Sequence, residues 1–365
     1  MSKHRGRALG LPFSGTPGAN NALTDVPGVG VGFATLVSGG PQAKPQIRTG
    51  VTAIVPRLSD PEPRPVWAGF HSLNGNGEMT GTHWIEDGGY FIGPVCITNT
   101  HSVGIVHHAA VRWTIDTYAR QWRDGHVWAM PVVAETYDGV LSDINGLHVT
   151  EALARQALDA ARSGPVAEGN VGGGTGMIAY GFKGGTGTAS RRLEIGGKGY
   201  VVGALVQANH GRRDWLTILG VPVGRHLTED TLWDKREQGS IIVVIGTDLP
   251  LLPHQLRRVA KRASIGIGRG GTVGGNSSGD IFLAFSTANR MAMPDFSPAH
   301  LTFEAINDDV FDPVYQAAVE AIEEAVINAM LAAEDTPTVK PAGYTCRAID
   351  HGRLMELMRR YGRMG

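Results

Sequence analysis

The stretch Lys235-Arg236-Glu237-Gln238-Gly239-Ser240-Ile241-Ile242-Val243-Val244-Ile245 changes character at its centre. Four polar residues and a glycine reach a serine, and five β-branched apolar residues follow at once. Such a run reads as a strand covered on both faces, so Ser240 stands where an exposed loop enters the core. Further short apolar runs bounded by Gly, Pro and Asn predict strands at Gly50–Val55, Val95–Thr98, Val127–Val133, Tyr200–Val206 and Ile281–Phe285, with Pro131 counting against the third. Between them lie helical patterns at Val149–Ala161, His254–Ser264 and Asp312–Ala332. The last carries Glu on the face opposite its apolar stripe and starts at Asp312-Pro313, a cap residue followed by a first-turn proline. The Pro- and Thr-rich segment Glu334–Tyr344 is expected to cross the surface before a final short helix at His351–Arg360. Strands alternating with helices predict an α/β protein. Neither a repeat nor a long linker divides it, so residues 1–365 are expected to form a single domain.

The composition narrows the partners. Hydrophobic residues make up 42% and charged residues 18% of the 365, with a formal net charge of -1 and no basic run. An electrostatic footprint for nucleic acid is missing, and small neutral or zwitterionic ligands are expected instead. Cys96 and Cys346 form neither a CxxC pattern nor a disulfide framework, which fits a reducing compartment. The basic first residues break at Gly10 and Pro12, before an apolar run of signal-peptide length. No stretch reaches the roughly 18 apolar residues of a membrane helix. A cytoplasmic protein is the expectation.

Glycine is the outlier: 51 residues, about twice the ordinary share of roughly 7%. The runs Gly172–Gly176 and Gly184–Gly187 could offer backbone N–H groups to an anion. Neither is a P-loop, and the strand and acidic residue of a dinucleotide fingerprint are poorly supplied, so turn chemistry is the stronger reading. GxSxG and HExxH are both missing. His107 and His108 are adjacent on a helical pattern, where neighbours point apart, which makes them poor as a ligand pair. There remain Ser240 and Gly274-Gly275-Asn276-Ser277-Ser278-Gly279-Asp280, a polar turn that feeds a second buried strand. Ser278 and Asp280 could therefore share a sheet edge with Ser240, giving two hydroxyls and a carboxylate at adjacent strand mouths.

The runs GSIIVVIGTDLPLLPHQLRR from Gly239 and GGNSSGDIFLAFSTAN from Gly274 resemble the self-processing aminopeptidases that include L-aminopeptidase/D-esterase and the β-aminopeptidases. LTDVPGVGVG from Leu23, GEMTG from Gly77, VVAETYDG from Val132 and ALVQANHG from Ala204 extend the likeness over nearly the whole chain. The resemblance implies a four-layer αββα sandwich, two β-sheets packed face to face between helical layers, and a tetramer of αβ units. It also implies a cut between Gly239 and Ser240, giving an α chain of residues 1–239 and a β chain of residues 240–365. No metal or other cofactor is implied.

The chemistry of these residues agrees. A serine hydroxyl is a weak nucleophile and needs a base, and no histidine is fixed beside Ser240. Cleavage would give Ser240 a free α-amino group, with an ordinary pKa of about 7.7–8.0, able to serve as that base. On the resemblance, Asn209 stabilises the oxyanion, Tyr137 lies near the reacting carbonyl, Glu135 receives the substrate ammonium, and Ser278 and Asp280 assist the nucleophile. The acid is Asp280 where the β-aminopeptidases have Glu, and the cut follows glycine rather than asparagine. The glycine before the cut leans toward the L-aminopeptidase/D-esterase branch, while the shorter Asp280 bears on whether the acid touches Ser240 or its amine directly. The expected function is hydrolysis of amino-terminal residues from short peptides, amides or esters through an acyl-enzyme. Two rivals are an acyltransferase of the ornithine acetyltransferase type, which would normally have threonine at the cut, and a non-catalytic protein binding a small anion.

Overall fold

In the computed structural model, residues 4–40, 43–232 and 239–364 are described; Lys235–Gln238, the polar half of the opening stretch, lie outside them. The apolar half is a strand, and it is central. Fourteen strands occur among the described residues. β1 (Gly30–Ser38), β2 (Ile47–Val55), β5 (Val95–Asn99) and β6 (Val132–Thr136) form a four-stranded sheet in the order β1-β2-β5-β6. β3 (Val66–Gly75), β4 (Tyr90–Phe91), β9 (Gly185–Ile195), β10 (Lys198–Asn209), β11 (Ser240–Thr247) and β12 (Gly279–Ser286) form a six-stranded sheet in the order β4-β3-β12-β11-β10-β9. Two small hairpin sheets complete the set, β7 (Ile178–Ala179) with β8 (Phe182–Lys183) and β13 (Thr336–Pro337) with β14 (Thr345–Cys346).

Why β11 is β-branched throughout follows from its two faces. Ile242 and Val244 join Leu205, Leu283 and Phe285 in the core between the sheets, where they meet Ile54, Ile97, Val132 and Ala134 of the smaller sheet. Ile241, Val243 and Ile245 point the other way, into a core shared with the helices Pro253–Lys261, Ala263–Gly268 and Asp312–Leu331. A third core lies on the far side of the four-stranded sheet, where Ala53, Cys96 and Val133 pack against Val106, Ala110, Ala157 and Leu158 of the helices Val103–Thr117 and Glu151–Asp159. Helix, sheet, sheet and helix make the four-layer αββα sandwich expected of the sequence.

The departures from expectation have physical causes. The predicted strand Val127–Val133 begins only at Val132, because Pro131 has no N–H for a ladder; Met130 makes an isolated bridge to Ile92 instead. Gly184–Gly187 is not an anion loop but the start of β9 and the residue before it. A Cβ on Gly187 would lie 2.0 Å from the Ala325 carbonyl oxygen of the long helix, so glycine is what lets strand and helix close to contact. Gly172–Gly176 is a buried 3-10 turn between the sheets. Glu320 and Glu324, expected on the outward face of Asp312–Leu331, are buried. Arg191 of β9 reaches Glu324 at 2.8 Å and Arg7 reaches it at 2.9 Å, which offsets the desolvation of that carboxylate. Glu334–Tyr344 buries Thr336 and Thr338 rather than only crossing the surface. Cys96 and Cys346 are free and buried, and burial pushes both thiols up to about 12. No helix among the described residues is long and apolar enough to cross a membrane.

Candidate active site

Three strand ends meet at Ser240. It opens β11, lies opposite Asn209 at the end of antiparallel β10, and is in register with Gly279 at the start of parallel β12. Parallel pairing brings the two starts, and hence Ser240, Gly279 and Asp280, to one edge of the sheet. The Ser240 side chain is 5% exposed. The Gly279 N–H points to Ser240 Oγ at 3.3 Å and to the Gly239 carbonyl oxygen at 3.4 Å. A Cβ on Gly279 would stand 3.0 Å from Ser240 Oγ and 2.3 Å from the Asn76 carbonyl oxygen, so only glycine brings its N–H this close. Gly239 is confined similarly, since a Cβ there would lie 1.7 Å from the Asn209 carbonyl oxygen.

Asn209 is buried and its amide is oriented from two sides. Its Oδ1 accepts from the Ile178 N–H at 2.7 Å, and its Nδ2 donates to the Tyr137 carbonyl at 3.1 Å. The acceptor end is occupied, so the remaining amide hydrogen is a donor beside the strand that carries Ser240. Tyr137 thus contributes its backbone to Asn209. Its ring folds over Gly139 and is 41% exposed.

The polar turn before β12 is clamped by β3. Asn74 Nδ2 donates to the Gly275 carbonyl at 3.1 Å and Asn76 Nδ2 to the Ser277 carbonyl at 2.7 Å. Ser278 Oγ donates to Asp280 Oδ1 at 2.6 Å, and Asn74 Nδ2 reaches Asp280 Oδ2 at 3.3 Å. A register shift between Asp280 and Ile281 turns the carboxylate out of the regular pleat. Burial raises the Asp280 pKa, and the bonds from Ser278, Asn74 and the Ile241 N–H oppose that rise. No direct bond joins Asp280 to Ser240 among the described residues; the acid reaches β11 through the backbone N–H of Ile241.

Glu135, on β6 of the other sheet, is 3% exposed. Its Oε1 accepts from the Glu78 N–H at 2.9 Å and its Oε2 from the Thr100 hydroxyl. Burial raises its pKa, the two hydrogen bonds lower it, and the Glu78 charge raises it again. Gly77 lies between this carboxylate and Gly279: a Cβ there would lie 3.1 Å from Glu135 Oε1 and 3.5 Å from Gly279 Cα. The carboxylate and the glycine whose N–H points to Ser240 Oγ therefore flank one small residue. Thr100, Asn74, Gly77 and Gly279 escape a reading that looks for reactive side chains, although Gly77 and Gly279 lie inside the quoted motifs. His107 and His108 lie on the helix Val103–Thr117, in the fold's outer layer.

The profile of peptidase family S58 matches residues 21–342. The chain belongs to peptidase family S58. It is 49% identical over 377 residues to a β-peptidyl aminopeptidase, BapA, of Sphingosinicella microcystinivorans, covering 99% of this chain and 93% of that one. The BapA of Sphingosinicella xenopeptidilytica is 41% identical over 372 residues, covering 97% and 91%. Among solved structures, the L-aminopeptidase D-Ala-esterase/amidase of Ochrobactrum anthropi, described as a prototype of the serine aminopeptidases and a variant of the Ntn hydrolase fold, superposes with a TM-score of 0.94. It is 60% identical, with 99% of both chains covered. A Burkholderia β-aminopeptidase superposes at 0.89 with 46% identity, covering 98% of this chain and 99% of that one. This S58 peptidase is an aminopeptidase, a hydrolase of the Ntn type of fold.

Proposed function

We propose that the chain cuts itself between Gly239 and Ser240, and that Ser240 is then the nucleophile of the aminopeptidase. The observation that carries this reading is the Gly279 N–H, which serves both the Ser240 hydroxyl and the carbonyl oxygen of the residue before it. A donor on that carbonyl stabilises the negative charge that develops when Ser240 Oγ attacks it. Collapse of the adduct breaks the Gly239 C–N bond and keeps the new bond to Oγ, the hydroxyl proton passing to the Ser240 nitrogen, and water then hydrolyses this ester to release residues 1–239 from residues 240–365. A substrate carbonyl then takes the place of Gly239, held by the Gly279 N–H and the Asn209 amide. The freed α-amino group of Ser240 takes the hydroxyl proton and returns it to the leaving amine, and a second water resolves the acyl-enzyme. Glu135 receives the substrate's ammonium, whose charge offsets the burial of the carboxylate. Ser278 and Asp280 hold the start of β11 and its amine, and Tyr137 closes over the acyl group.

The substrates we propose are amino-terminal residues of short peptides, amides and esters. The 60% identity to the Ochrobactrum enzyme, with glycine before the cut, favours the L-aminopeptidase/D-esterase branch over the β-aminopeptidases. The assembly is proposed to be a tetramer of αβ units, each a single folded domain, in the cytoplasm. A denaturing gel with amino-terminal sequencing tests the cut: two fragments are expected, the smaller beginning SIIVV. One intact band after long incubation removes the self-processing step.

A further inference from the structure

Asp138 closes the ETYDG motif and takes no part in the steps above. It is fully buried, and its Oδ2 accepts from Asn99 Nδ2 at 3.1 Å. The other hydrogen of that amide goes to Thr49 Oγ1 at 2.9 Å. The two remaining oxygens, Asp138 Oδ1 and Asn99 Oδ1, are both buried and have no hydrogen-bond partner among the described residues. Two bare acceptors on side chains already joined to each other are costly, and native interiors rarely keep them. One proton removes both costs. A carboxylic acid and a primary amide each present one donor and one acceptor along an edge, so they can join through two hydrogen bonds, N–H to the acid carbonyl and O–H to the amide oxygen. The first of these is already present.

We infer that Asp138 is held as a neutral carboxylic acid that donates to Asn99 Oδ1, and that this acid–amide pair is a positioning device for the end of β6 and the turn after it, which carry Glu135 and Tyr137. The surroundings favour the proton. Thr49 comes from β2, Asn99 from the end of β5, and the buried run Gly172–Gly176 packs on the third side, where a Cβ on Gly176 would lie 2.7 Å from Asp138 Cβ. None of them supplies a cation. Arg48, next to Thr49, turns its guanidinium to the carbonyls of Ser38, Ile47 and Gly39. The charge that acts on Asp138 is that of Glu135, which resists a second anion. Burial, opposed by Thr49, Asn99 and its own N–H and reinforced by Glu135, raises the Asp138 pKa to about 7. The Asp138 carbonyl also accepts from the N–H groups of Leu141 and Ser142, each at 3.0 Å. Pair and turn together fix the residue adjoining the Tyr137 carbonyl that orients Asn209. The positioning half of the inference rests on the proposed role of Asn209; the proton does not.

Asp138→Asn separates the two halves, because its amide can keep both bonds to Asn99, whereas Asp138→Ala loses both. In mildly acidic buffer, the infrared difference between parent and Asp138→Asn should contain a protonated-carboxyl stretch that fades as pH rises through about 7. Absence of that band overturns the neutral acid, whatever Asn209 does. In hydrolysis of aminoacyl anilides, Asp138→Asn should keep kcat within about threefold, while folded Asp138→Ala should lose about tenfold or more in kcat with little change in KM. A folded Asp138→Ala with parental kcat overturns the positioning role.

Discussion

The run Gly184–Gly187 and the run Gly274–Gly279 are alike in composition, yet a side chain added to each would strike different things. At Gly187 it meets the backbone of the long helix, 2.0 Å from the Ala325 oxygen and 2.6 Å from the Ala329 nitrogen. At Gly279 it meets the Asn76 carbonyl and, at 3.0 Å, the hydroxyl of Ser240. One glycine sets the distance between layers, and the other sets the position of a hydrogen-bond donor. The same residue type serves layer packing in one region and a hydrogen bond at the candidate site in the other, and counting glycines cannot tell them apart.

The largest expected effect marks the chemical region. Ser240→Ala should remove both self-cleavage and anilide hydrolysis, with a loss in kcat of about 10⁴-fold or more, read by gel and steady-state assay. A variant that stays intact and hydrolyses at the parental rate would sink the nucleophile. Next comes the direct contrast. Gly279→Ala should lower kcat per folded molecule by about 10²–10³-fold, the usual effect of losing one oxyanion donor. Gly187→Ala should instead cost about 1–3 kcal/mol of stability, the range for overpacking, and leave kcat per folded molecule unchanged. Equal kcat losses in the two variants, measured with the folded fraction from denaturant unfolding, would erase the distinction.

A smaller effect tests the far side of the site. In the proposed function the charged form of Glu135 grips the substrate's ammonium, and its pKa is raised chiefly by burial. As pH falls through that raised value the carboxylate takes a proton, so the parental KM should rise on the acid side. Glu135→Gln should have a KM about tenfold or more higher and flat over that range, with self-cleavage unaffected, since the internal bond offers no ammonium. Equal loss in both reactions would make Glu135 a structural residue. The smallest effect belongs to His108, whose side chain is 59% exposed and 3.5 Å from Glu151. His108→Ala should change stability by no more than about 0.5 kcal/mol and leave turnover unchanged.

How much could be read in advance depended on whether the cause was local. Ile241–Ile245, Ile281–Phe285 and the helix His351–Arg360 announce themselves, because their own side chains fill the faces they bury. β9 does not. Its first half is Gly-Thr-Gly-Thr, a poor strand by propensity, and it exists because β10 pairs with it and a helix lies against it. Glu320 and Glu324 read as a solvated face because their cationic partners, Arg7 and Arg191, are far away in sequence. At the site, Ser240, Asn209, Ser278 and Asp280 were legible through the motifs that resemble the family. The Gly279 N–H was not, because a backbone donor has no letter of its own. Asn99 and Thr49 were missed for a different reason: nothing near them in sequence hints at Asp138, and only the fold of β2, β5 and the ETYDG loop brings them together.

The strand order β4-β3-β12-β11-β10-β9 has a consequence for the fate of the chain. The two strands that follow Ser240 occupy the middle of the larger sheet, and the four that precede it lie in pairs on either side. A cut before Ser240 would leave the strand pairing in place, yet neither product would own the larger sheet. Residues 1–239 would hold its four outer strands as two separated pairs and residues 240–365 its two inner ones, each sealing the inner edges of the other, so the fragments could part only by unfolding together. The scission would also have to come late, since the inner strands need their outer neighbours before they have anything to align.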